Sequence, residues 1–270
     1  MSDPSLLILI PAYNEEARIE PVLRDYAQFF QKNYSGKFRL FVVLNGCTDD
    51  TLGVVRRVTA EFPEVRALEF RSAIGKGGAL IEGLRLASLG DLIGYTDADG
   101  ATPPHAFLEL VKKIGDADCV IGSRWLPGAV IHQSQSNKRQ FASRVFHFIV
   151  QLLFWLNIRD TQCGAKAMKR EVVEKIHPFL QIADMAFDIN LLVAIKRAGF
   201  KILEVPTEWT DQIGSKVTLA RSSLTMLLSV IRIRLIYWPR LYRLLRPLKP
   251  LETWVYKKLR APRPLSGPKN

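Results

Sequence analysis

The chain has 270 residues and few cysteines: Cys47, Cys119 and Cys163, far apart and odd in number. They form no CxxC pair and no zinc-ligand spacing, so a disulfide scaffold and a zinc ribbon are both set aside and a reducing, cytosolic compartment is expected. No run approaches ~18 uninterrupted apolar residues, so no clear transmembrane helix is expected. The first apolar run, Leu6 to Ile10, has no basic stretch before it and stops at Pro11. It reads as a strand and not as a signal peptide. No GxGxxG follows that strand, and Gly75-Lys76-Gly77-Gly78 lacks the spacing and the following Ser or Thr of a P-loop. A dehydrogenase and a mononucleotide kinase are thereby disfavoured. Acids are also scarce late in the chain: from residue 211 onward only Asp211 and Glu252 occur.

What is present is a core-forming composition, 48% hydrophobic, with a net charge of +12. Such a balance supports a folded α/β domain and implies an anionic partner: nucleic acid, an acidic membrane surface or a phosphorylated substrate. The tail charge lies among Leu, Ile, Trp and Tyr, without the aromatic platforms on which single strands stack, so nucleic acid is set aside. The apolar span 224–238 is interrupted by Arg232 and Arg234 and ended by Pro239. Burying each arginine in a bilayer costs ~2.5–3.5 kcal/mol, so helices lying at a membrane surface suit this tail better than a span. The competing reading is a core helix with snorkelling arginines. Residues 261–270, rich in proline, read as a disordered end.

The first hundred residues repeat strand, polar loop, helix. Strands are expected at Leu6–Ile10, Arg39–Leu44, Val65–Phe70 and Leu92–Thr96, with helices at 15–32, at about 49–62 and at 79–89. Asn14 reads as the N-cap of the first helix, and Thr48 or Asp49 as that of the second. The alternation predicts a largely parallel mixed sheet flanked by helices, in which ligands bind at the carboxyl ends of strands. Further on come a helix from Pro103 or Pro104 to Ile114, a strand at 118–122, an aperiodic lid-like loop at 126–137 and a long helix at 138–158. The run from Arg159 to Lys166 reads as a polar loop. Short helices follow at 171–176 and 189–198, then a strand at 200–206. Arg139 and Ser143 share a face of the long helix, whose basic start and apolar continuation suit a lipid phosphate or, equally, a core helix with a solvated first turn.

The loop after the fourth strand reads Asp97-Ala98-Asp99-Gly100. If the strand's alternation continued, the two carboxylates would share a side about 6–7 Å apart. Carboxylates so placed repel unless a cation lies beside them, and their hard oxygens suit Mg²⁺ or Mn²⁺ carrying a diphosphate. The alternative is a polar turn with Gly100 at positive φ.

The stretches Pro11-Ala-Tyr-Asn-Glu15, Asn45-Gly-Cys-Thr-Asp49, Gly75-Lys-Gly-Gly78, Asp97-Ala-Asp-Gly-Ala-Thr102, Gly122-Ser-Arg124, Asp160-Thr-Gln-Cys-Gly164, Ala186-Phe-Asp188 and Gly214-Ser-Lys216 occur in that order. In these the chain resembles family 2 glycosyltransferases, and most of all the polyprenyl-phosphate branch with dolichyl-phosphate glucosyltransferases. The resemblance covers about residues 5 to 220. It implies a GT-A catalytic domain over 1–217, a UDP- or GDP-sugar donor, a divalent cation (Mg²⁺ or Mn²⁺) and inversion at the sugar carbon; the amphipathic membrane-surface helices read from the tail's composition then occupy 218–260. It further implies that Pro11, Ala12, Tyr13, Glu15, Asn45, Asp49, Lys76, Asp97, Ala98, Asp99, Gln162, Ser215 and Lys216 meet the nucleotide sugar, with Asp97 and Asp99 also holding the metal. Leu44 and Asn45 stand where the family usually has an Asp pair. Arg124, Arg139, Ser143 and Arg144 would bind the acceptor phosphate, while Asp99, Asp160 and Asp188 would be catalytic. Ala101 stands where the mannosyl branch often carries Gln, which favours UDP-glucose over GDP-mannose. The implied acceptor is a polyprenyl phosphate on the cytoplasmic face of a membrane, with the enzyme peripheral or monotopic. GDP-mannose or another nucleotide sugar as donor, or a soluble or different lipid acceptor, is the alternative.

Overall fold

The structure, a computed structural model, describes residues 2–115, 117–133, 137–210 and 219–237, with side chains for all of these except 133–143 and 219–224. Strand β1 (Leu6–Ala12) shows how its sequence builds the core. Leu6, Ile8, Ile10 and Ala12 enter one apolar cluster and Leu7 and Leu9 another, so the strand is buried on both faces. A two-residue period with apolar groups at every position is the signature of a strand between two helical layers.

Alongside β1 lie β2 (Phe38–Asn45), β3 (Val65–Phe70) and β4 (Leu92–Tyr95), and farther along β5 (Cys119–Ser123), β7 (Lys166–Lys169) and β8 (Ile202–Pro206). The seven-stranded order is β3-β2-β1-β4-β7-β5-β8, and every pairing is parallel except those of β7 with β4 and β5. A separate two-stranded ribbon joins β6 (Val130–Gln133) to β9 (Glu208–Thr210).

One face of the large sheet is covered by α1 (Ile19–Asn33), α2 (Thr51–Glu61) and α4 (Pro104–Lys112), through Tyr26, Phe30, Val55 and Phe107 among others. The other face takes α3 (Gly75–Leu84), α5 (Asn137–Phe154), α6 (Arg170–Ile176), α7 (Phe187–Arg197) and α8 (Leu219–Ile236), through Leu80, Val150, Val173, Leu192 and Ile233. Three layers result, helices on both sides of a mostly parallel sheet, as expected. From β1 the chain winds outward to β2 and β3, whereas β4 lies on the other side of β1. A crevice at such a reversal of strand order is where α/β sheets take ligands.

Several local expectations are corrected. Helix α1 begins at Ile19, so Asn14 is not its cap; Asn14 has φ +54° and bridges to the next loop, its Oδ1 accepting the Thr48 N–H at 2.8 Å. Strand β4 ends at Tyr95, which puts Asp97 and Asp99 in the following turn and not in strand alternation. The 126–137 stretch contains β6, and the polar run ending at Lys166 leads directly into β7. Helix α3 begins at Gly75 and ends at Leu84, and a short 3-10 turn at Ala87–Leu89 completes the expected segment. The tail beyond 237, with its expected further surface helices and disordered end, lies outside the described residues. Among the described residues, no helix is long and apolar enough to cross a membrane.

Candidate active site

The loops after β1 and β2 are laced together. The Glu15 N–H donates to Thr51 Oγ1 at 2.9 Å and the Glu16 N–H to Asp49 Oδ2 at 3.2 Å. Asp49 also accepts the Thr51 N–H at 3.1 Å. Burial opposes its charge, but these hydrogen bonds hold its carboxyl below the usual range. Glu15 pairs with Arg18, whose guanidinium Nη2 lies 2.9 Å from Oε1. Pro11 and Ala12 end β1, and Tyr13 stands exposed at the rim. The buried Asn45 turns its Oδ1 to the start of α3, accepting the N–H groups of Ile74 at 2.6 Å and Gly75 at 3.0 Å. Helix ends have unsatisfied N–H groups, so Asn45 fixes where α3 starts and therefore where Lys76 sits.

Lys76 Nζ lies 2.6 Å from Asp97 Oδ1. Burial works against the ammonium, but the carboxylates of Asp97 and Asp188 more than offset this and raise its pKa. Asp99 is raised instead, by its own burial and then by the negative charge of Asp97. Its Oδ1 accepts the Ala101 N–H at 3.0 Å across a turn in which Gly100 has φ +74°. Ala98 packs inward between the two acids. From the far side Gly164 presses close: a Cβ there would sit 2.2 Å from Asp97 Oδ2.

Asp188, at the start of α7, is buried under this cluster. Its Oδ1 receives the Tyr95 hydroxyl at 2.5 Å and Lys166 Nζ at 2.5 Å, and Lys166 also donates to the Cys163 carbonyl at 2.5 Å. Burial opposes the Asp188 charge, but Lys166 and Lys76 keep its carboxyl below the usual range. Asp97, Lys76, Asp188 and Lys166 thus form a string of alternating charge running from the crevice into the core. Neither Lys166 nor Tyr95 stands out as a site residue in the sequence alone. The one available signal was a lysine in a short run otherwise apolar enough to be buried.

A second constellation lies beyond β5. Asp160 accepts Arg124 Nε at 2.7 Å and Nη2 at 2.9 Å, a bidentate fork, and the Arg124 backbone N–H at 3.1 Å. Burial opposes the Asp160 charge and Arg124 lowers its pKa overall. Glu204 holds the loop, accepting the Asp160 N–H at 2.6 Å, and the Gln162 N–H returns to Asp160 Oδ1 at 3.2 Å. The guanidinium of Arg124 lies 4.9 Å over the Trp209 ring. Trp125, next in the chain, meets His147 of α5 at a ring separation of 5.1 Å. Arg144 is exposed on α5; Arg139 and Ser143 lie on the same helix, their side chains outside those described, as are Ser215 and Lys216. The structure therefore brings Lys76, Asp97, Asp99 and Asp188 together, and Arg124, Asp160 and Gln162 together.

No three His, Cys, Asp or Glu side chains among the described residues form a ready metal cluster. The acid turn still fits a divalent cation. Two adjacent carboxylates, one of them raised by its burial and then by the charge of the other, are in the electrostatic situation that a bound cation relieves.

This sheet order, with paired acids at the reversal between β1 and β4, is a GT-A fold. Solved structures agree. Glucosyl-3-phosphoglycerate synthase from Mycobacterium tuberculosis, in complex with Mn²⁺, UDP and glucosyl-3-phosphoglycerate, superposes with a TM-score of 0.62 at 18% identity, covering 85% of this chain and 80% of that one. Mannosyl-3-phosphoglycerate synthase from Rubrobacter xylanophilus gives a TM-score of 0.64 at 17% identity, covering 88% and 75%. Among curated relatives, the dolichyl-phosphate beta-glucosyltransferase of Dictyostelium discoideum is 33% identical over 247 residues, 86% of this chain and 74% of its own length. That of Homo sapiens is 31% identical over 253 residues, 88% and 78%. Glycosyltransferase AglD of Haloferax volcanii is 33% identical over 228 residues; the match takes in 83% of this chain but 36% of that longer relative. Residues 7–177 match glycosyl transferase family 2. The chain belongs to that family and is a glycosyltransferase.

Proposed function

We propose that the enzyme transfers glucose from UDP-glucose to the phosphate of a polyprenyl phosphate at a membrane surface, with inversion at the sugar carbon. The observation that carries the lipid acceptor is on α5. Val145, Phe148, Leu152 and, just past its end, Trp155 are all exposed, three or four residues apart, on one stripe. The same helix bears Arg144 and packs through His147 against the loop of Arg124. An exposed apolar stripe beside arginines suits the acyl boundary and headgroups of a bilayer. The cytoplasmic face is the side where a UDP-sugar donor would be met.

The donor half of the reading rests on the acid turn and on the relatives, named as dolichyl-phosphate beta-glucosyltransferases. Asp97 and Asp99 would hold a divalent cation, as Mn²⁺ or Mg²⁺ accompanies UDP in structures of the same fold. When bound, that ion supplies positive charge to the diphosphate as it leaves. Lys76 adds a fixed ammonium beside the same place, and Asn45 holds it there. Tyr13, Glu15 and Asp49 line the rim on which base and ribose rest; Ser215 and Lys216, expected at the diphosphate, lie outside the described residues. On the other side, Arg124 with Arg139, Ser143 and Arg144 presents the acceptor phosphate. A phosphate monoester is already an anion, so alignment matters more than a general base. Asp160 acts through Arg124, holding its Nε/Nη2 edge so that the other edge of the guanidinium is aimed at the phosphate, and is in that sense a positioning residue. Asp188 sets Lys76 from below.

The test is transfer from labelled UDP-glucose, with Mn²⁺, to undecaprenyl or dolichyl phosphate in vesicles, against 3-phosphoglycerate in solution. The expected result is labelled lipid only. Label in phosphoglycerate, or in neither acceptor, contradicts the reading.

A further inference from the structure

Strand β9 has three residues, and each reaches a different part of the molecule. Glu208 is held from outside: its Oε2 lies 2.8 Å from His105 Nε2, in the first turn of α4, and its Oε1 lies 2.9 Å from His132 Nε2 on β6. Trp209 is buried, with its ring beneath the Arg124 guanidinium at 4.9 Å. The Thr210 N–H donates to the Ala101 carbonyl at 2.9 Å, and the Ala101 N–H donates in turn to Asp99 Oδ1 at 3.0 Å. Thr210 thus braces the acid turn, Trp209 braces the arginine, and Glu208 is clamped by two imidazoles.

The geometry at Arg124 explains what such a brace does. A carboxylate along one edge of a planar guanidinium sets the direction of that edge but not the tilt of the plane about it. The Asp160 carboxylate fixes the edge by its bidentate fork. An aromatic face beneath a guanidinium attracts it through the ring quadrupole and fixes the plane. Edge and face together leave Arg124 one orientation. Successive strand residues lie about 3.3 Å apart, so the distance from the acid turn to the arginine is set by a single stiff element.

We infer that Trp209 is a positioning residue for the acceptor phosphate, orienting Arg124 from beneath, and that the His105–Glu208–His132 clamp holds Trp209 in register. This deepens the proposed function and rests on its placing of the acceptor phosphate at Arg124. The test measures donor and acceptor KM separately, with UDP-glucose and polyprenyl-phosphate vesicles, in the wild type, Trp209→Leu, Trp209→Phe and the double variant His105→Gln/His132→Gln. Leucine removes the π face, and the acceptor KM should rise roughly 3- to 30-fold while the donor KM stays within about two-fold. Phenylalanine restores a ring and should recover most of that loss. The histidines are exposed, so their replacement should leave the fold intact and raise the acceptor KM in the same direction.

An unchanged acceptor KM in Trp209→Leu overturns the inference. So does an equal rise in both KM values with a lowered melting temperature in Leu and Phe alike, which marks a purely structural tryptophan. If Trp209→Leu does not fold, the histidine double variant decides, and an unchanged acceptor KM there is equally fatal. Wild-type protein that labels no lipid at all overturns the functional reading, and this inference with it.

Discussion

Asp160 carries two obligations at once, burial and charge, and Arg124 is what reconciles them. Removing only the arginine strands a carboxylate in the core, so Arg124→Ala should lower stability by ~3–5 kcal/mol. Arg124→Ala/Asp160→Asn should regain most of that in a urea melt, although neither form should bind the acceptor phosphate. The pH dependence has a definite sign. The folded pKa of Asp160 is depressed below its unfolded value, so its contribution is present above about pH 3.9 and is lost as pH falls through the folded value. Acid unfolding followed by circular dichroism should therefore show a shallower acid limb in Asp160→Asn. Gly164 is held to a different standard. An added Cβ would collide with Asp97 Oδ2, so Gly164→Ala must push the acid or its loop aside. A displacement of about 1 Å at a reacting centre costs on the order of 100-fold, and kcat/KM should fall by ~10- to 100-fold with little change in melting temperature. Wild-type turnover in Gly164→Ala would mean that Asp97 need not sit where it does.

Helix α5 makes its own prediction. Phe148→Glu/Leu152→Glu places two charges on the exposed stripe and touches none of the groups in the crevice. Vesicle flotation should be lost and the acceptor KM should rise, with UDP-glucose binding unchanged. Continued flotation would assign membrane contact to other parts of the chain. Legibility also divides by element. Strands β1 and β4 could be read because each is an uninterrupted apolar run between polar loops, buried on both faces, and β2 because only the exposed Arg39 interrupts its run before Asn45. Strand β7 could not: it begins with Lys166, whose charge is acceptable in the core only because Asp188 arrives from α7 to meet it. That partnership is tertiary, and no local pattern announces it. The early start assigned to α1 failed for a related reason. The sequence pattern makes Asn14 a cap for its own helix, whereas its amide serves the neighbouring loop through Thr48. The eight site motifs were found in order. What they left out was that Lys76 meets Asp97 and that Arg124 meets Asp160, since spacing in sequence carries no information on which loops face each other.

For the molecule as a whole, the proposed function puts cation and diphosphate at the reversal of strand order between β1 and β4, with Arg124, Arg144 and the α5 stripe on the acceptor side. The net charge of +12 adds a long-range attraction to anionic surfaces, so flotation on phosphatidylserine vesicles should weaken as salt is raised. The most direct measurement is calorimetric titration of UDP-glucose into the full chain, with and without Mn²⁺, in the wild type and in Asp99→Asn. Binding should require the metal in the wild type and fall by ~100-fold or more in the variant, with the fold retained. Metal-independent binding of equal strength, or an unchanged affinity in Asp99→Asn, would contradict the account.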